Sequence, residues 1–284
     1  MPAALTREPV IILTLIACAS LQHPAAHVMH HFPQWSPDGT TILASSTIDG
    51  DSEIFLFSLD GSAPRQLTRN AAADDIATWS RDGRRIFFTS DRRGRLEPFV
   101  MNADGSEQAP FTGAAEQPSA PDGTQLIESS VQGRVAIVAV SPDGKRRVLT
   151  DGQHAEQGSF SPDGRWIVYE QRNAIDEEDI KRSNIVIAKP DGSERRIVSP
   201  GTDPSWSTDG RSLLFKIWNE SDQQLWIATA SRDGGTARRL SPGVHPAWSP
   251  DGRRIAFMRD SGSGTDIWVM DADGANPRCI TCRS

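Results

Sequence analysis

Pro33-Gln34-Trp35-Ser36-Pro37-Asp38-Gly39 is a stretch to which this chain keeps returning. It recurs as Ala77-Thr78-Trp79-Ser80-Arg81-Asp82-Gly83, as Pro204-Ser205-Trp206-Ser207-Thr208-Asp209-Gly210 and as Pro246-Ala247-Trp248-Ser249-Pro250-Asp251-Gly252. Ser119-Ala120-Pro121-Asp122-Gly123 and Phe160-Ser161-Pro162-Asp163-Gly164 are degenerate copies that fill the gap. The six closing glycines stand 44, 40, 41, 46 and 42 residues apart. A steady period of that size is the mark of a repeat architecture.

Every copy carries the same plan. Pro-Asp-Gly is turn chemistry: proline presets φ, aspartate accepts bonds from nearby backbone N–H groups, and glycine takes positive φ without a steric cost. An apolar segment follows (Arg85-Ile86-Phe87-Phe88, Arg254-Ile255-Ala256-Phe257), then a polar loop of variable length. A second apolar run comes next, such as Ile54-Phe55-Leu56-Phe57, Ile137-Val138-Ala139-Val140 or Ile267-Trp268-Val269-Met270. A further Asp-Gly turn leads to a closing Arg-x-Leu-Thr or a relative, as in Arg65-Gln66-Leu67-Thr68 and Arg147-Val148-Leu149-Thr150. Four short strands per unit result. The second apolar run does not alternate with polar residues, so its strand is expected to be covered on both faces. The expected fold is all-β: a six-bladed β-propeller of four-stranded antiparallel blades, preceded by a cleavable export segment.

Trp-Ser-Pro-Asp-Gly, then Asp266-Ile267-Trp268-Val269-Met270-Asp271-Ala272-Asp273-Gly274, then Arg-x-Leu-Thr resembles the WD-like repeat of the TolB propeller family over about residues 31–282. Prolyl-oligopeptidase-type enzymes carry similar blades as an accessory domain. In the TolB family the propeller docks a peptidoglycan-associated lipoprotein at the envelope, so the resemblance implies a habit of binding protein or peptide. The α/β domain that precedes the TolB propeller has no counterpart in this sequence, and the resemblance therefore carries fold and binding habit, not a specific partner.

The 284 residues divide into a signal peptide (1–18), a flexible His-rich tether (19–31) and the propeller (32–284). Val10 to Ala17 is an apolar run too short to span a bilayer and fits the core of a secretory signal. Leu15-Ile16-Ala17-Cys18 resembles a lipoprotein cleavage box, which would make Cys18 the lipidated first residue; ordinary cleavage after Ala17-Cys18-Ala19 is the other reading. Periplasm or cell envelope is the expected location, with membrane contact only through such an anchor. A net charge of −7 and the lack of a basic stripe give no footprint for nucleic acid.

His23, His27, His30 and His31 cluster in the tether, where imidazoles could hold a transition metal. Pro24 and the small residues favour a solvated linker instead. Cys279-Ile280-Thr281-Cys282 lacks the second ligand pair that zinc needs and reads as a local disulfide. Trp35, Trp79, Trp206 and Trp248 share one repeat position and are expected to pack between neighbouring blades. Ser119 and Phe160 replace them in blades three and four, which are expected to be the loosest. Blade six takes all its strands from the C-terminus, so ring closure should rest on packing against blade one, with Trp35 and Trp248 contributing. No Gly-x-Ser-x-Gly, His-Glu-x-x-His or phosphate loop is present, and no cofactor or metal is expected.

One face of such a ring is built of near-identical Asp-Gly turns, and the other of loops that differ between blades. Recognition is expected on the varied face. Its longest loop carries Asp176, Glu177, Glu178 and Asp179. Seven residues before the turn glycines stand Phe32, Ile76, Glu116, Gln157, Asp203 and His245, with Glu156 one position earlier. Glu116, Glu156, Gln157, Asp203 and His245 are the candidate binding residues of an acidic channel mouth; the alternative is that they only hydrate the channel. The expected function is a monomeric, non-enzymatic, exported propeller that binds an envelope protein or peptide. A metal-dependent, lactonase-like hydrolase with a cation in the channel is the alternative, and Phe32 and Ile76 interrupt the oxygen ring it would need.

Overall fold

The turns show why the repeat is so regular. Ser36 Oγ donates to Asp38 Oδ1 at 2.6 Å, and the Thr40 backbone N–H donates to the same oxygen at 3.0 Å. Ser36 Oγ in turn accepts the Thr41 N–H at 3.0 Å, so one serine and one aspartate tie the whole hairpin. Ser80–Asp82, Ser161–Asp163, Ser207–Asp209 and Ser249–Asp251 repeat the arrangement. These bonds, the serine's first, hold all five carboxyls below the usual carboxylate range. Successive turns also lean on one another around the ring. Gly164 has φ +68°, and a Cβ there would come within 2.4 Å of Pro121 Cδ in the preceding blade. Glycine is needed at that position for space as well as for conformation.

In the computed structural model, which describes residues 28–112, 119–150, 154–172, 183–262 and 264–282, the strands gather into six antiparallel sheets. Blade one runs His30–Trp35, Thr41–Ser46, Glu53–Ser58 and Arg65–Gln66, from the channel outward. Blade two is Asp74–Trp79, Arg85–Ser90, Glu97–Asn102 and Ala109–Pro110. Blade three shows Gln125–Val131, Arg134–Val140 and Arg146–Val148, with its innermost position reduced to a bridge between Ser119 and Gln125. Blade four is His154–Phe160, Ile167–Arg172, Asn184–Ala188 and Arg196–Pro200. Blade five is Thr202–Trp206, Ser212–Asn219, Gln224–Ser231 and Arg238–Pro242, and blade six is Val244–Trp248, Arg254–Asp260, Thr265–Asp271 and Arg278–Cys279. No helix occurs among the described residues. The first strand begins at His30, inside the segment expected as a tether; Cys18, His23 and His27 lie outside the described residues.

The core lies between the blades. Five hydrophobic clusters among the described residues join blades six and one, one and two, three and four, four and five, and five and six. Each repeat tryptophan packs toward the preceding blade: Trp35 Nε1 donates to Ala247 O at 3.0 Å, and Trp206 Nε1 to Ser159 O at 3.3 Å. Two expectations need correction. Trp248 belongs to the cluster of blades five and six, so it does not help to close the ring; the repeat points every such ring backward, and only Trp35 faces the seam. Blade four is not loose, because Phe160 packs in the cluster it shares with blade three. Among the described residues, the sparse place is the junction of blades two and three.

The closing arginines add a second tie between blades. Arg65 donates to Asp104 O at 2.6 Å, Arg147 to Pro190 O at 2.7 Å, Arg238 to Asp273 O at 2.6 Å and Arg278 to Leu59 O at 2.8 Å, each reaching the outer turn of the next blade. Arg196 does the same at Arg232 O. Blade two has Ala109 in that register, opposite Val100 as Arg65 is opposite Leu56. All four strands of blade six come from the C-terminal stretch, and among the described residues no strand is exchanged at the seam with blade one. A short strap supplements it: Val28 bridges Gly264, and Thr265 Oγ1 accepts the His30 N–H at 2.8 Å and donates to His30 O at 2.7 Å. Cys279 and Cys282 are joined by a disulfide just after the last strand.

Candidate functional site

The innermost strands of five blades are interrupted where they face the channel. The pairing with the second strand shifts register between His31 and Gln34, Asp75 and Thr78, Glu156 and Ser159, Thr202 and Ser205, and Val244 and Ala247. Within these bulges Phe32, Ile76, Gln157, Asp203 and His245 have φ between +49° and +55°. Left-handed backbone is rare for such residues and costs on the order of 1–3 kcal/mol each. A bulge redirects a side chain that a regular pleat would point elsewhere.

Part of that cost is offset across the blade junctions. Glu128 Oε1 accepts the Gln157 N–H at 2.6 Å, and Glu170 Oε2 accepts the Asp203 N–H at 3.2 Å. In blade two, Asp75 Oδ1 accepts the Ile76 N–H at 2.8 Å and the Ser45 hydroxyl. Ser45, Glu128 and Glu170 are one repeat position on the second strand, opposite Ile54, Ile137 and Ile185. Lys216 and Met258 hold that position in blades five and six.

Phe32, Gln157, Asp203 and His245 line a cavity of about 340 Å³ at the mouth, together with Glu170, Arg172, Thr202, Lys216 and their neighbours from blades one, four, five and six. Lys216 Nζ forms an ion pair with Asp203, and Gln157 Nε2 donates to Asp203 Oδ1 at 2.6 Å. Arg172 sits between Glu170 at 3.3 Å and Glu156 at 2.9 Å, and His154 Nε2 lies 3.0 Å from Glu156. Phe32 meets the His245 ring edge-on at 4.7 Å. Burial opposes ionisation of Asp203, but the Lys216 charge and the bonds from Lys216 and Gln157 hold its carboxyl below the usual range. Burial, with Lys216 adding, pushes His245 down to about 4, so its imidazole is neutral at physiological pH. Burial raises Glu128 and Glu170 above the ordinary glutamate value.

The structure thus brings Gln157, Asp203 and His245 together at one cavity and places Glu156 behind it, buried against Arg172. Glu116, Asp176, Glu177, Glu178 and Asp179 lie outside the described residues. Among the described lining residues the acids are paired: Lys216 faces Asp203 and Arg172 faces Glu170. Carboxylates drawn into a confined channel need paired cations, and the second strand supplies them. Aligning the innermost strands does not reveal Glu128, Glu170, Arg172 and Lys216, which stand on the second strands of their blades. The signal was present: a charge closes an otherwise apolar run in Ile167-Val168-Tyr169-Glu170 and Leu213-Leu214-Phe215-Lys216.

A family model described as the TolB beta propeller domain matches residues 5–197. Among solved structures the chain is similar to a putative TolB from Agrobacterium tumefaciens, with 22% identity over 79% of this chain and 87% of that one and a TM-score of 0.55. It is similar to TolB from Acinetobacter baumannii, with 16% identity, a TM-score of 0.57 and coverage of 87% of this chain but 61% of that one. It is also similar to a gluconolactonase from Xanthomonas campestris, with 14% identity over 81% of this chain and 82% of that one and a TM-score of 0.51. At these identities the likeness is one of fold. No functionally curated protein matches the chain.

Proposed function

Because the chain belongs to the TolB β-propeller domain family, we propose that it is a non-enzymatic binding module whose loop face takes a protein or peptide partner at the cell envelope. The observation that carries this reading is the set of bulged residues, which fixes Phe32, Gln157, Asp203 and His245 around one open cavity before any ligand arrives. Such preorganisation favours binding because little ordering remains to be done on association. The ionisable groups of the mouth are engaged with each other: Asp203 with Lys216 and Gln157, Glu170 with Arg172. That arrangement supports recognition over lactonase-like chemistry, which needs several oxygens free to converge on one cation.

The pairing of the described acids favours a different partner from the one an acidic mouth would take. An acidic mouth would select lysine or arginine. This mouth suits an inserted segment of polar, uncharged side chains that exchange hydrogen bonds with Gln157 and His245 and pack on Phe32, and its association should vary little with salt. The proposal includes export and anchoring through Cys18.

Site-specific photocrosslinking tests the reading in the envelope of the source cells. Benzoylphenylalanine at Gln34, on the mouth, should give a discrete protein adduct, whereas the same group at Thr40, on the turn face, should give none. Equal labelling from both positions, or none from Gln34, would remove the loop face as the binding surface.

A further inference from the structure

Glu53 opens the third strand of blade one and Asp74 opens the innermost strand of blade two, and both residues are 0% exposed. Glu53 Oε1 accepts the Asn70 backbone N–H. Asp74 Oδ2 accepts from Asn70 Nδ2 at 2.8 Å and from Arg92 Nη2 at 2.7 Å. The other oxygen of each, Glu53 Oε2 and Asp74 Oδ1, is buried without a hydrogen-bond partner. Two acidic groups that interact across the junction, each with a buried oxygen that no protein donor reaches, lack one hydrogen between them.

The surrounding charges do not supply it. Arg92 is committed to Asp74, to Ser90 Oγ at 2.9 Å and to Gln108 Oε1 at 2.8 Å, and it stacks on Phe99 at 4.7 Å. Arg69 is turned to Gln66 Oε1 at 2.8 Å, and Asp49 also binds Gln66. Asp91 accepts the Ala73 N–H at 2.9 Å and adds negative charge nearby. Two buried carboxylates would then face one guanidinium, an arrangement that ordinarily resolves by neutralising one acid.

We propose that Glu53 and Asp74 form a proton-binding site, in which one proton carried on Glu53 Oε2 is donated to Asp74 Oδ1 and ties blade one to blade two. Burial, with the Asp74 charge adding, pushes the Glu53 carboxyl up to about 7 against the bonds from Thr68 and Asn70. A carboxyl raised in the folded state contributes stability that is fully present below its unfolded value and is lost as pH rises through about 7. On loss of the proton the two carboxylates repel. The segments that can relieve the repulsion are 70–74 and the Arg92 loop, both on the varied face, so the proton sets the order of one sector of that face.

The test uses the full chain and Glu53→Gln, whose amide N–H can donate to Asp74 at every pH. The melting temperature of Glu53→Gln relative to wild type should rise by about 3–6 °C between pH 5 and pH 8, a difference in which the titrations of His245, Glu128 and Glu170, common to both proteins, cancel. The ¹³C carboxyl resonance of Glu53 in the wild-type protein should titrate with a midpoint near 7, a readout that stands even if the variant does not fold. A midpoint below about 5, close to the free side chain, overturns the proposal. So does a Glu53→Gln variant that is less stable than wild type at both pH values with an unchanged slope. If calcium or a chelator shifts the wild-type profile, a cation and not a proton fills the gap, and the proposal fails.

Discussion

Two junctions of the ring are built from the same repeat and held in different ways. Between blades six and one no covalent link crosses among the described residues, and side chains, with the Val28–Gly264 strap, hold the seam. Trp35 is buried there with its N–H bonded across the seam, Arg254 stacks on its ring at 4.7 Å and reaches Gly39 O at 3.1 Å, and Arg278 and the Thr265–His30 pair add ties above and below. Between blades two and three the chain itself runs across. Ser119 stands where the tryptophan would be, Ala120 where the turn serine would be, and Ala109 where the arginine would be. No hydrophobic cluster among the described residues spans that junction, and the Phe87–Phe111 ring pair stays within blade two. A backbone connection limits how far two blades can separate, so side-chain ties can be lost there at little risk. The open seam has no such protection.

The contrast should break first at the tryptophan. Trp35→Ala should cost about 3–5 kcal/mol in denaturant unfolding, because it empties a site shared by two blades. Phe111→Ala, whose ring pairs with Phe87 inside blade two, should cost about 1 kcal/mol. Equal losses would mean that Phe111 joins two blades as Trp35 does.

The arginine ties give a smaller and reciprocal effect. Arg278→Ala should destabilise by about 1 kcal/mol through loss of the bond to Leu59 O. Ala109→Arg should install the missing tie on the outer turn of blade three and stabilise by about 0.5–1 kcal/mol. A neutral or destabilising Ala109→Arg would show that blade three does not present its turn as the other blades do.

Acid should separate the turns by the smallest margin. The serine-bonded Asp38 and Asp251 carboxyls lie below the usual range, so the stability they contribute is present above the ordinary aspartate value and is lost as pH falls through their folded values. Asp122 has Ala120 in place of serine and is held by Thr124. Between pH 5 and pH 2, amide exchange at Gly39 and Gly252 should accelerate relative to its own baseline more than exchange at Gly123. Uniform acceleration would make the serine irrelevant to acid sensitivity.

These differences show what the sequence could and could not tell. Blade number and order were legible because the Ser-x-Asp-Gly turn is local: its bonds run between residues two to five apart, and the spacing alone reveals them. The ring positions of Gln157, Asp203 and His245 were legible by repeat alignment. The left-handed backbone of Gln157 and Asp203 was not, because its support comes from Glu128 and Glu170 in the preceding blades, 29 and 33 residues away. The pairing of Asp203 was hidden for the same reason, since Lys216 reaches it from another strand. The Glu53–Asp74 contact spans two blades, and the first acid of a strand looks like any other solvated charge in a linear reading.

That each sheet is one uninterrupted stretch of chain also bears on ancestry and on engineering. Propellers that swap a strand at the seam must keep that seam in one place, because moving it would leave two sheets incomplete. Here every blade boundary is equivalent in principle. A gene encoding this ring could be rotated, with new ends placed in any inter-blade link, or lengthened by copying a whole forty-residue unit. Neither operation would split a sheet. The residues that would need rewriting are the few that now guard the open seam, and the link between blades two and three, poorest in side-chain ties, would need the most.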